Sequence, residues 1–474
     1  MVDDRPAPGT DGVWDRGRRS LTVGLILTVS MGAFEALAVA TVLPATVADI
    51  GGLALYGWVF SGFMLANLVG ISVGGSAADR QGVARPYIVG SVLFIVGLLG
   101  AGFAGSMPIV VVSRVAQGFG AGAISSVAYV AVARAYGPAA RPRMLAMLSS
   151  AWVVPGLIGP ALAGSVADHL GWRWVFLGLA PYTAAAASLA VPALRHLPRT
   201  VPGADKKDPT LSALRLAAGT GAALFGVTLT SIPGAAALVC LGMTVAVPSL
   251  QQLVPAGTLR ARPGLPAAIA TLGLLNFAFF GAEAFLPLTL TSLHGQSTTM
   301  AGITLTAATL SWTTGAWVQA RLIHTRSRRA VVSGGLVCTV CGIAGITGLV
   351  APAIPALIAI PSWGVAGLGI GIAYTTLTLV VLEAAPAGDE GAASAAMQLV
   401  GVLGAALGTG LGGAAVALAT TSGRSPRGGI ALVNVATILA ASLAIVAARG
   451  LPDRAAGGDS ESELTPTSRD AETA

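Results

Sequence analysis

Long runs of apolar residues are the feature that most constrains this chain. Fourteen segments are long and apolar enough for a helix of about 20 residues, the length that crosses the hydrocarbon core of a bilayer. Because lipid offers no hydrogen bonds to backbone groups, segments of this kind are expected to be helical. The predicted spans are 21–47, 56–77, 87–105, 108–134, 144–167, 173–193, 213–231, 234–254, 265–292, 300–322, 330–350, 354–383, 391–420 and 428–448.

The composition excludes most soluble classes of protein. Hydrophobic residues make up 54% of the 474 residues, charged residues only 10%, and the mean hydropathy is +0.79. Soluble domains are about 45–50% apolar and about 25% charged, so this chain lacks the charged residues needed to cover a water-facing surface. A soluble enzyme, a nucleic-acid-binding protein and a secreted disulfide scaffold are therefore excluded, and nothing in the sequence calls for a cofactor or a metal.

The basic residues are distributed very unevenly among the loops between the predicted spans. The net charge is +7, and 23 of the 27 Lys and Arg residues fall in the tails and in alternate loops, against three in the other loops and one inside a span. Because cytoplasmic loops are enriched in Lys and Arg, we expect a multi-pass protein of the cytoplasmic (inner) membrane with both termini in the cytoplasm. The surplus charge then needs no nucleic-acid partner.

The spans predict an all-α integral membrane fold of two six-helix bundles with a two-helix insertion. Two re-entrant or surface helices in place of the insertion would preserve the charge sorting, which leaves twelve spans as an alternative. Repeated blocks of this kind are the usual build of a secondary transporter. The predicted parts are a cytoplasmic tail at 1–19, bundles at 20–195 and 261–449, a linker with a transmembrane hairpin at 196–260, and a disordered cytoplasmic tail at 450–474.

The loop after span 2 carries a compact set of glycine and charged residues. Gly75 allows two helices to approach closely, Gly82 permits a tight turn, and Asp79 can meet a helix N-terminus or a basic partner. The set resembles the G-x-x-x-D-R-x-G signature of the major facilitator superfamily, although the basic pair that usually follows is reduced to one arginine. The resemblance implies that Asp79 gates the two halves by meeting the N-terminus of span 13. The gating residues are Gly75, Asp79, Arg80, Gly82 and Arg85.

Span 4 contains an arginine, which is costly at membrane depth and normally faces a cavity or a partner. Arg114, with Gln117 and the glycine after it, resembles the R-x-x-Q-G motif of the same superfamily. The alternative is that Arg114 extends to the outer membrane surface. We expect a functional arginine, because Gln117 lies on the next turn of the same helix.

Span 5 is rich in proline and glycine. It resembles the G-P-x-x-G-G antiporter motif, with Ala163 in place of one glycine, and the Trp-Arg-Trp at 172–174 is similar to the entry to helix 6 of drug:proton antiporters. The resemblance implies an exporter; the alternative is a generic packing face of small residues. The motif residues are Pro155, Gly156, Gly159, Pro160 and Gly164.

Two carboxylates are predicted deep in the membrane. Glu35 lies about 21 Å into span 1, and Glu283 occupies the first span of the second bundle. Glu35 stands nine residues before Pro44, which resembles helix 1 of the fourteen-helix drug:proton antiporters, although Ala40 replaces their asparagine. A carboxyl group at this depth can bind and release a proton, which is what proton coupling requires. The alternative for each is a static hydrogen-bonded contact between helices.

The resemblance as a whole implies a fourteen-helix drug:proton antiporter of the multidrug efflux type. Such a protein exports amphipathic or hydrophobic small molecules in exchange for protons by alternating access, confers antibiotic resistance, and is expected here to act as a monomer in the lipid bilayer. An exporter of a native metabolite or lipid with the same fold is the alternative. An intramembrane enzyme is disfavoured because the histidines all lie near span ends, at His169, His196, His294 and His324.

Overall fold

The computed structural model describes residues 13–15, 18–137, 140–197, 209–386, 389–421, 425–451 and 453, and all fourteen predicted spans are helical in it. The predicted tails lie almost wholly outside the described residues. The helices are α1 (Arg19–Ile50), α2 (Tyr56–Gln81), α3 (Ala84–Gly102), α4 (Met107–Ala135), α5 (Arg141–Ser150), α6 (Val153–His169), α7 (Arg173–Arg195), α8 (Thr210–Val227), α9 (Ile232–Leu253), α10 (Leu265–Glu283), α11 (Leu286–Leu288), α12 (Thr298–Leu322), α13 (Arg328–Gly348), α14 (Ala359–Glu383), α15 (Glu390–Thr421) and α16 (Arg427–Ala447).

The protein is a multi-pass membrane protein. In the described part of the chain, thirteen helical segments are long and apolar enough to cross a bilayer. The fourteenth predicted span, α12, is less apolar because it carries seven threonines. Four of their hydroxyls, those of Thr304, Thr309, Thr313 and Thr314, donate to carbonyls within the helix; Thr304, for example, donates to the carbonyl of Met300 at 3.0 Å. A threonine that satisfies its hydroxyl in this way adds little cost to a helix in lipid.

The helices pack in two groups with a hairpin beside them. Helices α1 to α7 contact one another and are called the N-terminal half; α10 to α16 contact one another and are called the C-terminal half. Helices α8 and α9 pair with each other, and α8 also lies against α2 and α15. Leu224 of α8 packs with Leu65 of α2 and Ala406 of α15, so the hairpin contacts both halves. The domain boundaries at 195 and 260 stay a prediction.

The most extensive contacts between the halves are those of α2 with α15 and of α6 with α12; α1 also contacts α11 and α12. A Cβ added to Gly57 of α2 would lie 2.5 Å from the Cα of Gly413 on α15. A Cβ added to Gly164 of α6 would lie 2.7 Å from the Cα of Thr299 on α12. Glycine therefore lets the backbones of the two halves touch, as small residues do in membrane helices. Both contacts lie toward the side where α1 ends and α2 begins, which we call the distal face; the opposite side is the arginine-rich face.

Prolines break two of the predicted spans. Span 5 is divided into α5 and α6 at Ala151, four residues before Pro155, which has no N–H for that carbonyl. Span 9 is divided in the same way, since α10 ends at Glu283, four residues before Pro287. A π-helical turn at 289–293 follows α11. Turns of this kind are rare in proteins overall, but those that do occur often lie at functional sites.

Replacing Gly122 of α4 by alanine tests the close packing of α2 on α4. The added Cβ would overlap the carbonyl oxygen of Asn67 and lie 2.7 Å from the amide nitrogen of Ile71. We expect the free energy of unfolding to fall by about 1–3 kcal/mol, the usual cost of overpacking. The measurement is thermal unfolding of the purified protein in detergent.

The control is Gly32→Ala on α1, where an added Cβ meets nothing within 4 Å. Since alanine is the better helix former, this variant is expected to be neutral or to stabilise by up to about 1 kcal/mol. Equal unfolding temperatures for the two variants would contradict the described packing of α2 on α4.

Candidate functional site

A buried ion pair lies inside the N-terminal half. The Arg114 side chain is 3% exposed and the Glu35 side chain 1% exposed, and Nη1 of Arg114 donates to Oε1 of Glu35. The same nitrogen donates to Oε1 of Gln117 at 2.5 Å. The structure thus brings together three residues that the sequence places on α1 and α4. Arg114 points into the bundle and does not extend to the membrane surface.

Two further helices hold this cluster. The Nε of Arg114 donates to the carbonyl of Val59 on α2 at 3.2 Å, and the guanidinium lies 4.1 Å from the ring centroid of Phe63, a cation–π contact. Nε2 of Gln117 donates to the carbonyl of Gly97 on α3 at 2.8 Å. Helices α1 to α4 therefore all contribute to neutralising one arginine. Breaking such a pair leaves an uncompensated buried charge.

The second deep carboxylate is in a different situation. Glu283 is the last residue of α10 and is 8% exposed. Among the described residues its carboxylate accepts no hydrogen bond and forms no ion pair. A charged group buried without a partner is strongly unfavourable, so the carboxylate must take up a proton or pair with a cation. Glu35 and Glu283 thus differ in one respect that matters for exchange: among the described residues, Glu35 has a countercharge and Glu283 has none.

Aromatic side chains cluster next to Glu283 along α10, α12 and α14. The ring of Phe279, one turn before Glu283, stacks on Trp363 with centroids 4.8 Å apart, and meets Trp312 edge-on at 5.6 Å. Trp312 in turn lies 5.7 Å from Tyr374. The sequence motifs do not single out Trp363, whose buried Nε1 has no hydrogen-bond partner among the described residues.

The gating motif is folded as a tight turn. Gly82 directly follows the last residue of α2 and has φ +84°, a left-handed value that favours glycine. Asp79 accepts a hydrogen bond from Nη2 of Arg134 at 2.9 Å, within its own half. No hydrogen bond or ion pair between described residues joins Asp79 to the expected partner, the N-terminus of α15, and a Cβ added at Gly391 would meet nothing within 4 Å. Arg80 and Arg85 are exposed, as expected of loop charges.

The antiporter motif is a packing surface between helices. Gly156 and Pro160 of α6 contact Thr309 and Gly302 of α12 respectively, and Gly164 contacts the start of α12. A Cβ added to Gly159 would lie 3.4 Å from the ring of Phe34, the neighbour of Glu35. The motif therefore joins the halves and also contacts α1 close to the buried ion pair.

Two contacts across the distal face involve residues that the sequence analysis does not select. The Tyr56 hydroxyl donates to the carbonyl of Ala284 at 2.9 Å. The Asp168 carboxylate accepts from the backbone amides of Thr298 and Thr299 at 3.2 and 2.9 Å, and from the Thr299 hydroxyl at 2.6 Å. A carboxylate at a helix N-terminus is stabilised by the helix dipole. The only sequence feature that could have pointed to Asp168 is its position on α6, one turn after Gly164, the last residue of the antiporter motif.

A comparison with known families decides the identity. The model for the Major Facilitator Superfamily matches residues 23–409. The chain belongs to the Major Facilitator Superfamily. It is therefore a transporter by family, and the resemblance seen in the sequence motifs is confirmed. The same fold is seen in the crystal structure of a bacterial homologue of the human lysosomal transporter Spinster, with a TM-score of 0.67, 15% identity, and coverage of 92% of this chain and 98% of that one.

Two relatives in the superfamily come from Mycobacterium tuberculosis. A probable multidrug-efflux transporter is 28% identical over 449 residues, covering 90% of this chain and 93% of that protein. An MFS-type transporter is 28% identical over 412 residues, which cover 84% of this chain. This chain spans only 59% of the length of that second protein.

Replacing Arg114 by glutamine tests the buried ion pair. The substitution leaves the Glu35 carboxylate buried without a countercharge, so we expect a loss of about 3–5 kcal/mol of stability. The double variant Arg114→Gln, Glu35→Gln removes both charges and is expected to be more stable than Arg114→Gln alone. The measurement is thermal unfolding in detergent of the wild type, the single variants Arg114→Gln and Glu35→Gln, and the double variant; strictly additive losses would contradict the pairing.

Proposed function

We propose that this protein exports amphipathic or hydrophobic small molecules, including cationic ones, in exchange for protons by alternating access. The proposal places it in the cytoplasmic membrane with both termini in the cytoplasm, and includes a contribution to antibiotic resistance. It is supported by the relative named as a probable multidrug-efflux transporter and by the motifs that resemble drug:proton antiporters.

The observation that carries the proposal is the carboxylate of Glu283, which has no partner in the described part of the chain. It needs a proton or a cation to neutralise it, and only one of the two can do so at a time. A proton arriving from one side displaces a bound cationic compound, and the compound displaces the proton on the other side. The aromatic cluster supplies the apolar contact area that amphipathic compounds need, and its ring faces favour a cation.

Glu35 has a different role from Glu283 in the proposed transport cycle. Its countercharge, Arg114, is already in place, so a proton on Glu35 releases Arg114 from the pair and leaves that charge to Gln117 and the carbonyl of Val59. Protonation of Glu35 thereby changes the contacts between α1 and α4. In this proposal protonation of Glu35 alters the packing of α1 against α4, while Glu283 exchanges its proton for substrate.

The contacts between the halves support the inward-open conformation for this structure. The closest cross-half contacts lie toward the distal face, at Gly57 with Gly413 and at Gly164 with Thr299. On the arginine-rich face Asp79 is bonded within its own half. We infer that the arginine-rich face is cytoplasmic, and that Asp79 meets α15 only in the outward-open conformation.

Glu283→Gln tests the exchange site. The amide cannot bind a proton as a carboxylate does, so we expect at least a tenfold loss of proton-driven export of a cationic dye from inverted vesicles. The control is Glu383→Gln at the end of α14, which removes a carboxylate paired with Arg328 at 2.7 Å and 43% exposed. Unchanged dye export in Glu283→Gln, measured at equal amounts of inserted protein, would exclude Glu283 from the exchange.

Glu35→Gln tests the second carboxylate. Because the amide can still accept from Arg114 but cannot change charge, we expect the protein to insert and to bind dye while uncoupler-sensitive export is lost. The measurement compares dye binding with export under an inward proton gradient in the same vesicles. Normal coupled export in this variant would remove Glu35 from the mechanism.

A native lipid or lipid-like metabolite is the second candidate substrate. An apolar groove of about 370 Å³ lies between α1, α6 and α7, lined by Phe34, Leu162 and Trp174 among others. Leu162 is 47% exposed and Trp174 58% exposed on the outside of the bundle, so the groove opens toward lipid. An acyl chain could enter it and come to lie beside Phe34, next to Glu35.

Gly178→Phe distinguishes the two candidates. Gly178 lines the groove, and a Cβ added there meets nothing within 4 Å, so a larger side chain can fill the space without displacing its neighbours. If a lipid is the native substrate, transfer of a labelled lipid falls severalfold while export of a compact cationic dye is unchanged. Equal transfer of the labelled lipid by both proteins would argue against a lipid substrate.

A further inference from the structure

We propose that the hydroxyl of Tyr56 links the state of Glu283 to closure of the distal face. Tyr56 is then a positioning residue for transport, because it acts through the backbone next to the exchange site and not on the substrate. The inference rests on the proposed exchange role of Glu283 and names how that site would signal to the other half of the protein.

Tyr56 is the first residue of α2 and is fully buried. Its hydroxyl donates to the carbonyl of Ala284 at 2.9 Å, and its ring lies 5.4 Å from the ring of Phe285. Tyr56 belongs to the N-terminal half, and both of its partners belong to the C-terminal half. The hydrogen bond therefore exists only while the two halves are close together on this face.

Ala284 directly follows Glu283 at the place where α10 ends. Pro287 provides no N–H for the Glu283 carbonyl, and α-helical geometry gives way to a short turn and then to the π-helical turn. A backbone with a missing hydrogen bond is easier to reshape than a regular helix. A change in what the Glu283 side chain binds can thus move the neighbouring carbonyl, which is the one that Tyr56 holds.

The coupling follows from this adjacency. When Glu283 exchanges its proton for a substrate, the turn at Ala284 readjusts and the Tyr56 hydrogen bond is weakened or strengthened. Because that bond spans the two halves, the balance between a closed and an open distal face shifts with it. The chain offers a contact for comparison: Asp168 also joins the halves on this face, but it lies at the α6–α12 pair and touches no residue adjacent to Glu283.

Tyr56→Phe removes the hydroxyl and keeps the ring. The matched control is Tyr87→Phe, since Tyr87 is 1% exposed and its hydroxyl shares a 2.6 Å hydrogen bond with Thr28 inside the N-terminal half. In the full chain with its three cysteines replaced by serine, spin labels at exposed positions Leu170 and Ser292 report the distance across the distal face. We expect Tyr56→Phe to raise the open population about fivefold, the effect of one net hydrogen bond, and Tyr87→Phe to leave it unchanged.

A double-mutant cycle with Glu283→Gln tests the coupling itself. Glu283→Gln is expected to change the ratio of open to closed molecules in the wild-type and Asp168→Ala backgrounds by the same factor. In the Tyr56→Phe background that factor should fall at least threefold. The proposal is overturned if Tyr56→Phe leaves the distances unchanged, or if Glu283→Gln has the same effect with and without the Tyr56 hydroxyl.

The two proposals fail in different ways. If Glu283→Gln abolishes dye export but its effect on the distances is independent of Tyr56, the exchange role stands and the coupling through Tyr56 is wrong. If Glu283→Gln leaves dye export intact, the exchange role is wrong, and with it the basis of the coupling. The distance measurement needs no substrate, so it also detects the Tyr56 contact in a protein whose cargo is unidentified.

Discussion

The cost of placing charge in hydrocarbon determines how this protein is organised. Most of its charged residues are in tails and loops, and the described charges that lie deep in the membrane are treated in two opposite ways. Arg114 is surrounded by acceptors from neighbouring helices and pairs with Glu35. Within the part of the chain that the structure describes, Glu283 has no hydrogen-bond donor or cation beside its carboxylate. A fully satisfied group holds helices in one arrangement, whereas an unsatisfied one requires something from outside the protein, and a transporter needs both.

Glycine provides the second constraint, because it brings helix backbones into contact where lipid cannot drive association. The same device is used within a half, at Gly122 against Asn67, and between the halves, at Gly57 against Gly413. The contacts differ in what they must tolerate. Those within a half can be permanent, while those between halves must separate if access alternates. Among the described residues, few hydrogen bonds between the halves accompany the glycine contacts on the distal face. The hydrogen bonds made by Tyr56 and Asp168 are therefore the specific contacts that must break when this face opens.

The order and approximate limits of the spans could be predicted from the sequence because each span is set by a run of apolar residues, whereas the breaks within spans 5 and 9 were not predicted. The pairing of Glu35 with Arg114 could also be anticipated, since residue counting places both at similar depth. The Tyr56 contact could not be predicted, because it joins residues 228 positions apart and depends on how two halves meet. The partner of Asp79 was expected on α15 and is Arg134 here, since the sequence carries no information on which conformation is observed. The domain boundaries and the roles of the site residues stay predictions.

The hairpin of α8 and α9 has a mechanical consequence. Thr210 at the start of α8 is hydrogen-bonded to Ser76 of α2 at 3.3 Å, whereas the described contacts of α8 with α15 are apolar, such as Leu224 against Gly410. Apolar contacts have no preferred direction, so one surface can slide along the other without losing a specific bond. The hairpin is thus hydrogen-bonded to the N-terminal half and can slide against the C-terminal half, so it can shield the α2–α15 interface from lipid while the halves move. Among the described helices, no similar pair covers the other interface, between α6 and α12.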